Sequence, residues 1–249
     1  MSATAAPFAT RVLAQARFEA GILLRNGEQL LISIILPVMT LVGLTLAPFP
    51  DLGSGRRIDV VAPGVLGLVV MSTAFTGQAI QTGFDRRYGV LRYLGTTPLG
   101  RSGLLGAKGV AVAAVLVLQL AVVAAVALGM GWQPRWAWLP VALVTLLLGT
   151  WCFVALALAL AGTLRAEAVL ALANLVWVVL LAVGGVVVPA TAMHAQADQV
   201  VRWLPSAALG DGMREPLLHG DLPLLPWLVL GLWAGAATAV AARTFRWSD

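Results

Sequence analysis

The side chains best suited to recognition chemistry crowd into one stretch, Phe84-Asp85-Arg86-Arg87-Tyr88-Gly89-Val90-Leu91-Arg92-Tyr93-Leu94-Gly95-Thr96-Thr97-Pro98-Leu99-Gly100-Arg101. A carboxylate beside two guanidinium groups, followed by two tyrosines with Val90, Leu91 and Leu94 between them, can fold into a short helix with one wet face and one apolar face. Such a surface suits docking to a partner protein. It suits equally a basic loop held against anionic lipid headgroups, and the residue types alone leave both readings open.

Bond-breaking chemistry finds less material. The single cysteine, Cys152, lies within an apolar run and reads as a small core or lipid-facing residue. His194 and His219 have neither a His/Glu pair at helical spacing nor a nearby cysteine, so no metal site is expected. No serine stands in a G-x-S-x-G elbow. Gly103–Gly109 holds glycines and Lys108, but no G-x-x-x-x-G-K-[ST] phosphate loop occurs anywhere. The chain is therefore expected to be non-catalytic and to bind no cofactor; if it does uphill work, another chain handles the nucleotide.

The elements that carry these residues follow from composition. Sixty percent of the 249 residues are hydrophobic and 11% are charged, against about 45–50% and about 25% in a soluble domain. Lipid is the solvent for most of such a chain. Apolar runs cover 29–47, 60–83, 103–130, 136–162, 168–190 and 224–242. Each is unbroken for about 20 residues instead of alternating in pieces of about 10, which predicts helices and not a barrel. The expectation is an all-α, multi-pass membrane protein, a single transmembrane domain over 1–249 with six spans. Residues 1–28 are fairly polar, so no removable leader is expected.

Charge sets the orientation. An arginine at mid-bilayer costs about 2.5–3.5 kcal/mol, so burying Arg86, Arg87 and Arg92 would cost about 8–10 kcal/mol, and residues 84–102 must lie outside the hydrocarbon. Alternating sides places eleven of the sixteen Lys and Arg residues with the 84–102 loop, which predicts that loop and both termini in the cytoplasm. The net charge of +5, spread in this way, fits a membrane surface and not nucleic acid. Trp132, Trp136 and Trp138 are expected at the outer interface. Residues 8–27 predict a helix on the inner surface, with Val12, Leu13, Ala16, Ala20, Leu23 and Leu24 on one side and Arg11, Gln15, Glu19, Arg25 and Asn26 on the other.

No span carries an ionisable residue near its middle, which disfavours an ATP-independent channel or ion-coupled carrier as the alternative reading. Gln78, Gln81, Gln119, Thr145, Thr150 and Asn174 are the buried polar groups expected to pair between helices. Alanine and arginine are abundant while lysine occurs once. That bias fits a GC-rich bacterial genome and thus the bacterial plasma membrane.

The pattern Asp85-Arg86-Arg87-x-Gly89-x-Leu91-x-x-Leu94-x-x-Thr97-Pro98-Leu99, followed by Lys108, resembles the signature after the second span of permease subunits of the type-2 ABC export family, including daunorubicin-type drug exporters. The first position is more often glutamate in that family. The segment with Gly184-Gly185, Pro189, Trp203-Leu204-Pro205, Arg214 and Gly220 is similar to the family layout as well. The resemblance implies a coupling helix at 84–102 that seats in an ATPase subunit together with the N-terminal helix. It gives Asp85, Arg86, Arg87, Tyr88 and Gly89 the transmission of the ATPase stroke, and reversing charge at Arg86 and Arg87 is then expected to uncouple transport without unfolding the chain.

The resemblance further implies two ABC ATPase subunits, which carry the ATP and Mg, and a second permease, identical or a sister chain. A translocation path follows along the first, second and fifth spans, with Phe75, Gln78, Asn174 and Trp177 as substrate contacts. In the 191–223 loop a pair of short re-entrant helices is expected, with Trp203, Leu204 and Pro205 as an outer gate, before Asp211-Gly212-Met213-Arg214-Glu215 returns to water. Pro37 and Gly184-Gly185 are expected bending points. An apolar lining with a few amides fits a hydrophobic or amphiphilic cargo such as a drug or lipid-like molecule.

Overall fold

A helix that is apolar on every side belongs in an interior, and the 31-residue helix Arg57–Arg87 takes that place. The computed structural model describes residues 6–25, 27–52, 55–95, 99–192 and 195–245, and every regular element among them is helical. The central helix is built from α3 (Arg57–Met71), a π-helical segment Ser72–Gly77 and α4 (Gln78–Arg87). Every residue from Val61 to Met71 is buried.

Around it stand α2 (Gly27–Leu46), α6 (Gly100–Gly129), α7 (Leu139–Ala161) and α8 (Ala166–Val183), with α11 (Leu224–Thr244) laid along α7. Two shorter elements complete the set. Helix α1 (Phe8–Arg25) lies along α6, and α5 (Val90–Gly95) follows α4 after a turn at Tyr88-Gly89. Between α8 and α11 come α9 (Ala195–Val201) and α10 (Pro205–Arg214).

Among the described residues, five helices are long and apolar enough to cross a membrane: Arg57–Arg87, Gly106–Gly129, Trp136–Ala161, Ala166–Val183 and Leu224–Thr244. The apolar part of α2, Ser33–Leu46, is shorter. These correspond to the last five of the six expected runs, with the second extended through Asp85, Arg86 and Arg87 into what the sequence assigns to a loop. The chain is a multi-pass membrane protein.

Contacts between helix termini define two ends. At the first, the α4–α5 turn meets the close of α7 and the start of α6. At the second, the Arg56 guanidinium grips Asp59 at 2.9 and 3.0 Å and donates to Gly131 O at 2.9 Å, while Arg57 donates to Leu44 O and Pro50 O at 3.0 and 2.8 Å. Arginine here satisfies carbonyls that helix ends leave without partners.

Several expectations are corrected. The apolar run 168–190 is not one helix: α8 stops at Val183, and 184–188 fold back against α10 because Gly185 adopts φ +74°, a backbone shape that suits glycine. Gly184-Gly185 is thus an end and not a bend. Helix α1 turns Ala16 and Glu19 inward and leaves Leu13 and Phe18 out, the reverse of the expected facing at Glu19 and Leu13. Its contacts explain this, since α6 offers the buried cation Lys108 and Glu19 is the one carboxylate on α1. The side chains of Leu23 and Leu24 and the residue Asn26 lie outside the described set, as do Thr96, Thr97 and Pro98 of the family pattern.

Segment 205–214 does not return to water either. Pro205 to Gly210 and Gly212 to Arg214 are buried against α3, α7 and α11. Small residues, namely Ser206, Ala207, Ala208, Gly210 and Gly212, let this short helix approach its neighbours closely.

Candidate functional site

A cavity of about 290 Å³ opens beside the π-helical segment. A π-turn takes more residues per turn than an α-turn, which rotates the faces of the helix and often accompanies function. Here it aims Ser72, Thr73, Thr76 and Gly77 at the cavity, and Gln78 and Gln81 extend that wall. Opposite are Leu36 and Pro37 of α2, Val112 and Gln119 of α6, and Asn174 and Trp177 of α8.

Three of the four expected substrate contacts meet there: Gln78, Asn174 and Trp177. Phe75 does not. It is buried in the core, edge-on to Phe153 with ring centroids 6.3 Å apart.

Most polar groups of the lining are already engaged. Gln119 accepts from Thr73 Oγ1 at 2.7 Å and donates to Ser33 Oγ at 2.8 Å, bridging three helices. Trp177 Nε1 donates to Ser72 Oγ at 2.9 Å, and Asn174 donates to Leu170 O of its own helix at 2.9 Å. Two groups differ. Gln78 is 4% exposed and its amide has no hydrogen-bond partner among the described residues, and the buried Thr76 hydroxyl has none either. Buried polar groups are nearly always paired in proteins; the Thr76 hydroxyl is closed off from solvent, which leaves the Gln78 amide as the unpaired group at the cavity wall.

One helical turn further along α4, the wall becomes ionic. Glu19 of α1 and Lys108 of α6 are both buried. Lys108 Nζ lies 2.6 Å from Asp85 Oδ2 and 3.2 Å from Glu19 Oε2. Glu19 also accepts from Gln81 Nε2 at 3.2 Å and from Gln15 Nε2 at 3.1 Å. One ammonium thus holds two carboxylates from different helices. Charge complementarity of this kind gives fixed geometry more than net stability.

The next residues complete the first end of the molecule. Arg86, 4% exposed, donates to Ala161 O at 2.8 Å and to Leu164 O, capping α7. Arg87 is partly exposed and paired with Glu167 at the start of α8. Tyr88 stacks on Phe84 with centroids 6.0 Å apart and is 71% exposed. Gly89 takes φ +72°, and Tyr93 is 72% exposed. Beneath them, Leu91 and Leu99 pack with Val12 of α1 and with Phe245. Of the five residues expected to form a contact surface, Asp85 and Arg86 therefore face inward while Arg87 and Tyr88 face out.

At the opposite end Arg214 is 4% exposed. It donates to Val60 O (3.3 Å), Gly185 O (3.3 Å), Asp211 Oδ1 (2.8 Å), Val186 O (2.6 Å) and Val187 O (2.6 Å), which occupies the whole guanidinium. Close approach requires glycine around it: a Cβ at Gly64 would lie 2.6 Å from Val186 O, and one at Gly210 2.9 Å from Arg214 Nη1. Trp203 is half-exposed and its carbonyl accepts from Trp233 Nε1 at 3.0 Å, Leu204 is half-buried, and Pro205 starts α10. Burial pushes the nearby Glu215 carboxyl from the ordinary 4.5 up to about 7, with Asp211 and Asp221 adding to the shift. Folding therefore favours its protonated form, and this end loses stability as pH rises through that interval.

Sequence reasoning missed Glu19, Lys108 and Arg214 as interior groups. Lys108 carried a usable signal, as the sole lysine of the chain set among small residues. The ABC-2 type transporter family model matches residues 10–218, well over half of the chain, and it takes in the cavity, the ionic cluster and Arg214. No curated protein matches.

Proposed function

The chain belongs to the ABC-2 type transporter family as a non-catalytic, multi-pass permease, and on that premise we propose that it forms part of an export path driven by ATP hydrolysis on a separate subunit. The observation that carries the reading is the central helix. One unbroken element reaches from the cavity at Thr76 and Gln78 to the exposed turn at Tyr88 and Gly89. A push on that turn is delivered directly to the cavity wall.

The turn is the docking point for the ATPase. Tyr88, Arg87 and Tyr93 form the contact, and Asp85 and Arg86 hold it in place from inside. ATP and Mg belong to that partner, and members of this family normally work with ABC ATPases. Two such subunits and a second permease complete the assembly. Helix α8, which exposes Leu175, Val178, Val179 and Val183, is the face for the second permease. The chain crosses six times with the ATPase end in the cytoplasm of a bacterial cell, a reading supported by the basic 84–102 loop, and the α9–α10 pair with Trp203, Leu204 and Pro205 closes the outer exit.

The cargo is hydrophobic or amphiphilic. Leu36, Pro37, Val112 and Trp177 offer apolar surface, Gln78 offers an unpaired amide, and among the described residues no charged side chain lines the cavity. Orientation by a few polar groups in an apolar pocket is the usual division of labour in small-molecule sites.

Tyr88→Asp tests the docking role without disturbing the interior, since the ring is mostly outside. In membranes containing the whole transporter, it should lower transport and permease-stimulated ATP hydrolysis by about tenfold or more, as expected when an interface anchor is replaced by an unpaired charge. The level of folded protein should not change. Normal transport by Tyr88→Asp contradicts the proposal.

A further inference from the structure

We propose that Gln81 is a sensor, a positioning residue that reports occupancy of the cavity to helix α1 and to the α4–α5 turn. The inference rests on the cavity being the place where cargo sits. Its mechanism lies within this chain and needs no ATPase.

Among the described residues, Gln81 alone both lines the cavity and bonds to the ionic cluster. Its neighbours on α4 form a single stripe: Gln78, Gln81, Asp85 and Tyr88 are spaced by three, four and three residues, the spacing that keeps side chains on one helix face. The stripe begins at an unpaired amide in the cavity and ends at the exposed ring of the turn.

The cluster is arranged so that losing Gln81 matters. Glu19 Oε2 is shared by Gln81 Nε2 and Lys108 Nζ, both at 3.2 Å, while among the described residues Oε1 accepts from Gln15 of the same helix. Helix α1 is thus hydrogen-bonded to α4 through one amide, and its ion pair with Lys108 adds to its packing along α6. Lys108 is closer to Asp85, at 2.6 Å. When a guest draws the Gln81 amide toward the cavity, α1 loses its hydrogen bond to α4, and among the described residues Glu19 keeps Lys108 as its one partner on another helix. The attachment of α1 weakens, and the α4–α5 turn, which rests on α1 through Leu91 and Val12, loosens with it. Coupling of this kind is reciprocal: whatever moves α1 changes the affinity of the cavity by the same factor.

The test fills the cavity covalently. In a Cys152→Ala background, Thr76→Cys places a thiol in the lining at a side chain whose hydroxyl has no partner to lose. Benzyl methanethiosulfonate attaches a ring there, with stoichiometry read by mass spectrometry, and amide exchange of residues 8–25 is followed in the intact chain in lipid nanodiscs. The adduct should speed exchange in α1 by about fivefold or more while leaving α11 unchanged. With Gln81→Met, which keeps length and volume, α1 should exchange fast from the start and the adduct should add nothing. Complete labelling with α1 exchange unaltered overturns the sensor. So does an equal response in Gln81→Met, or a rise of the same size in α11. The ATPase-driven reading stands or falls separately, because no nucleotide-binding subunit takes part in this measurement.

Discussion

Arg214→Met is expected to abolish recovery of folded protein from membranes. The guanidinium satisfies four backbone carbonyls and the Asp211 carboxylate at once. Deleting one partner of a buried charged pair typically costs about 3–5 kcal/mol, against a total stability of about 5–15 kcal/mol. Here the loss includes the donors to the carbonyls of Val186 and Val187. Arg214→Lys keeps the charge but supplies a single point donor group in place of a planar fork, and it should recover little. Fluorescence-detected size exclusion in mild detergent reads both: the variants should give aggregated or absent peaks. A monodisperse Arg214→Met with an unchanged melting temperature would show that the segment 184–188 is held by packing alone.

The second large effect is expected at Lys108. In Lys108→Met the Glu19 and Asp85 carboxylates lose the cation between them, and a loss of about 3–5 kcal/mol follows by the same reasoning. The diagnostic is rescue. Adding Glu19→Gln and Asp85→Asn removes both stranded charges while keeping hydrogen-bonding groups, and should restore most of the melting temperature. If Lys108→Met alone melts like the parent, or if the neutralised triple variant is no better than the single one, the cluster does not bind α1 to α4 and α6.

Arg86 belongs to the same class and changes an expectation. Because its side chain caps α7 at Ala161 and Leu164, reversing charge at Arg86 and Arg87 together would damage the fold, not the docking surface alone. Tyr88 and Arg87, which face outward, separate docking from folding where Arg86 cannot.

How far the chain could be read in advance depended on which physical signal each part emits. Spans announce themselves through long apolar runs, so the central helix Arg57–Arg87, α6, α7 and α11 were legible to within a few residues, as was the start of α8 but not its end at Val183. The 84–102 segment announced itself through charge that lipid rejects. Helix α10 emitted neither signal: it has ten residues, small side chains and two charges, and its burial depends on close packing that no local pattern displays. Glu19 misled for a related reason. A wheel drawn for α1 alone sends a carboxylate to water, and only the presence of Lys108, 89 residues later in the chain, brings it inside. Phe75, named for the path by resemblance, lies in the core, while the π-helical segment Ser72–Gly77 brings Thr76 into the cavity lining, a rotation of faces that no local pattern displays.

The central claim, that the Tyr88 turn is held by a separate ATP-hydrolysing subunit, is tested most directly by a photo-crosslinking amino acid at position 88 in the native membrane, with position 136 at the opposite end as control. The account predicts one dominant adduct at 88, a stoichiometric protein bearing a G-x-x-x-x-G-K-[ST] loop, and no such adduct at 136. Adducts at 88 with lipid alone, in a transport-competent membrane, would contradict it.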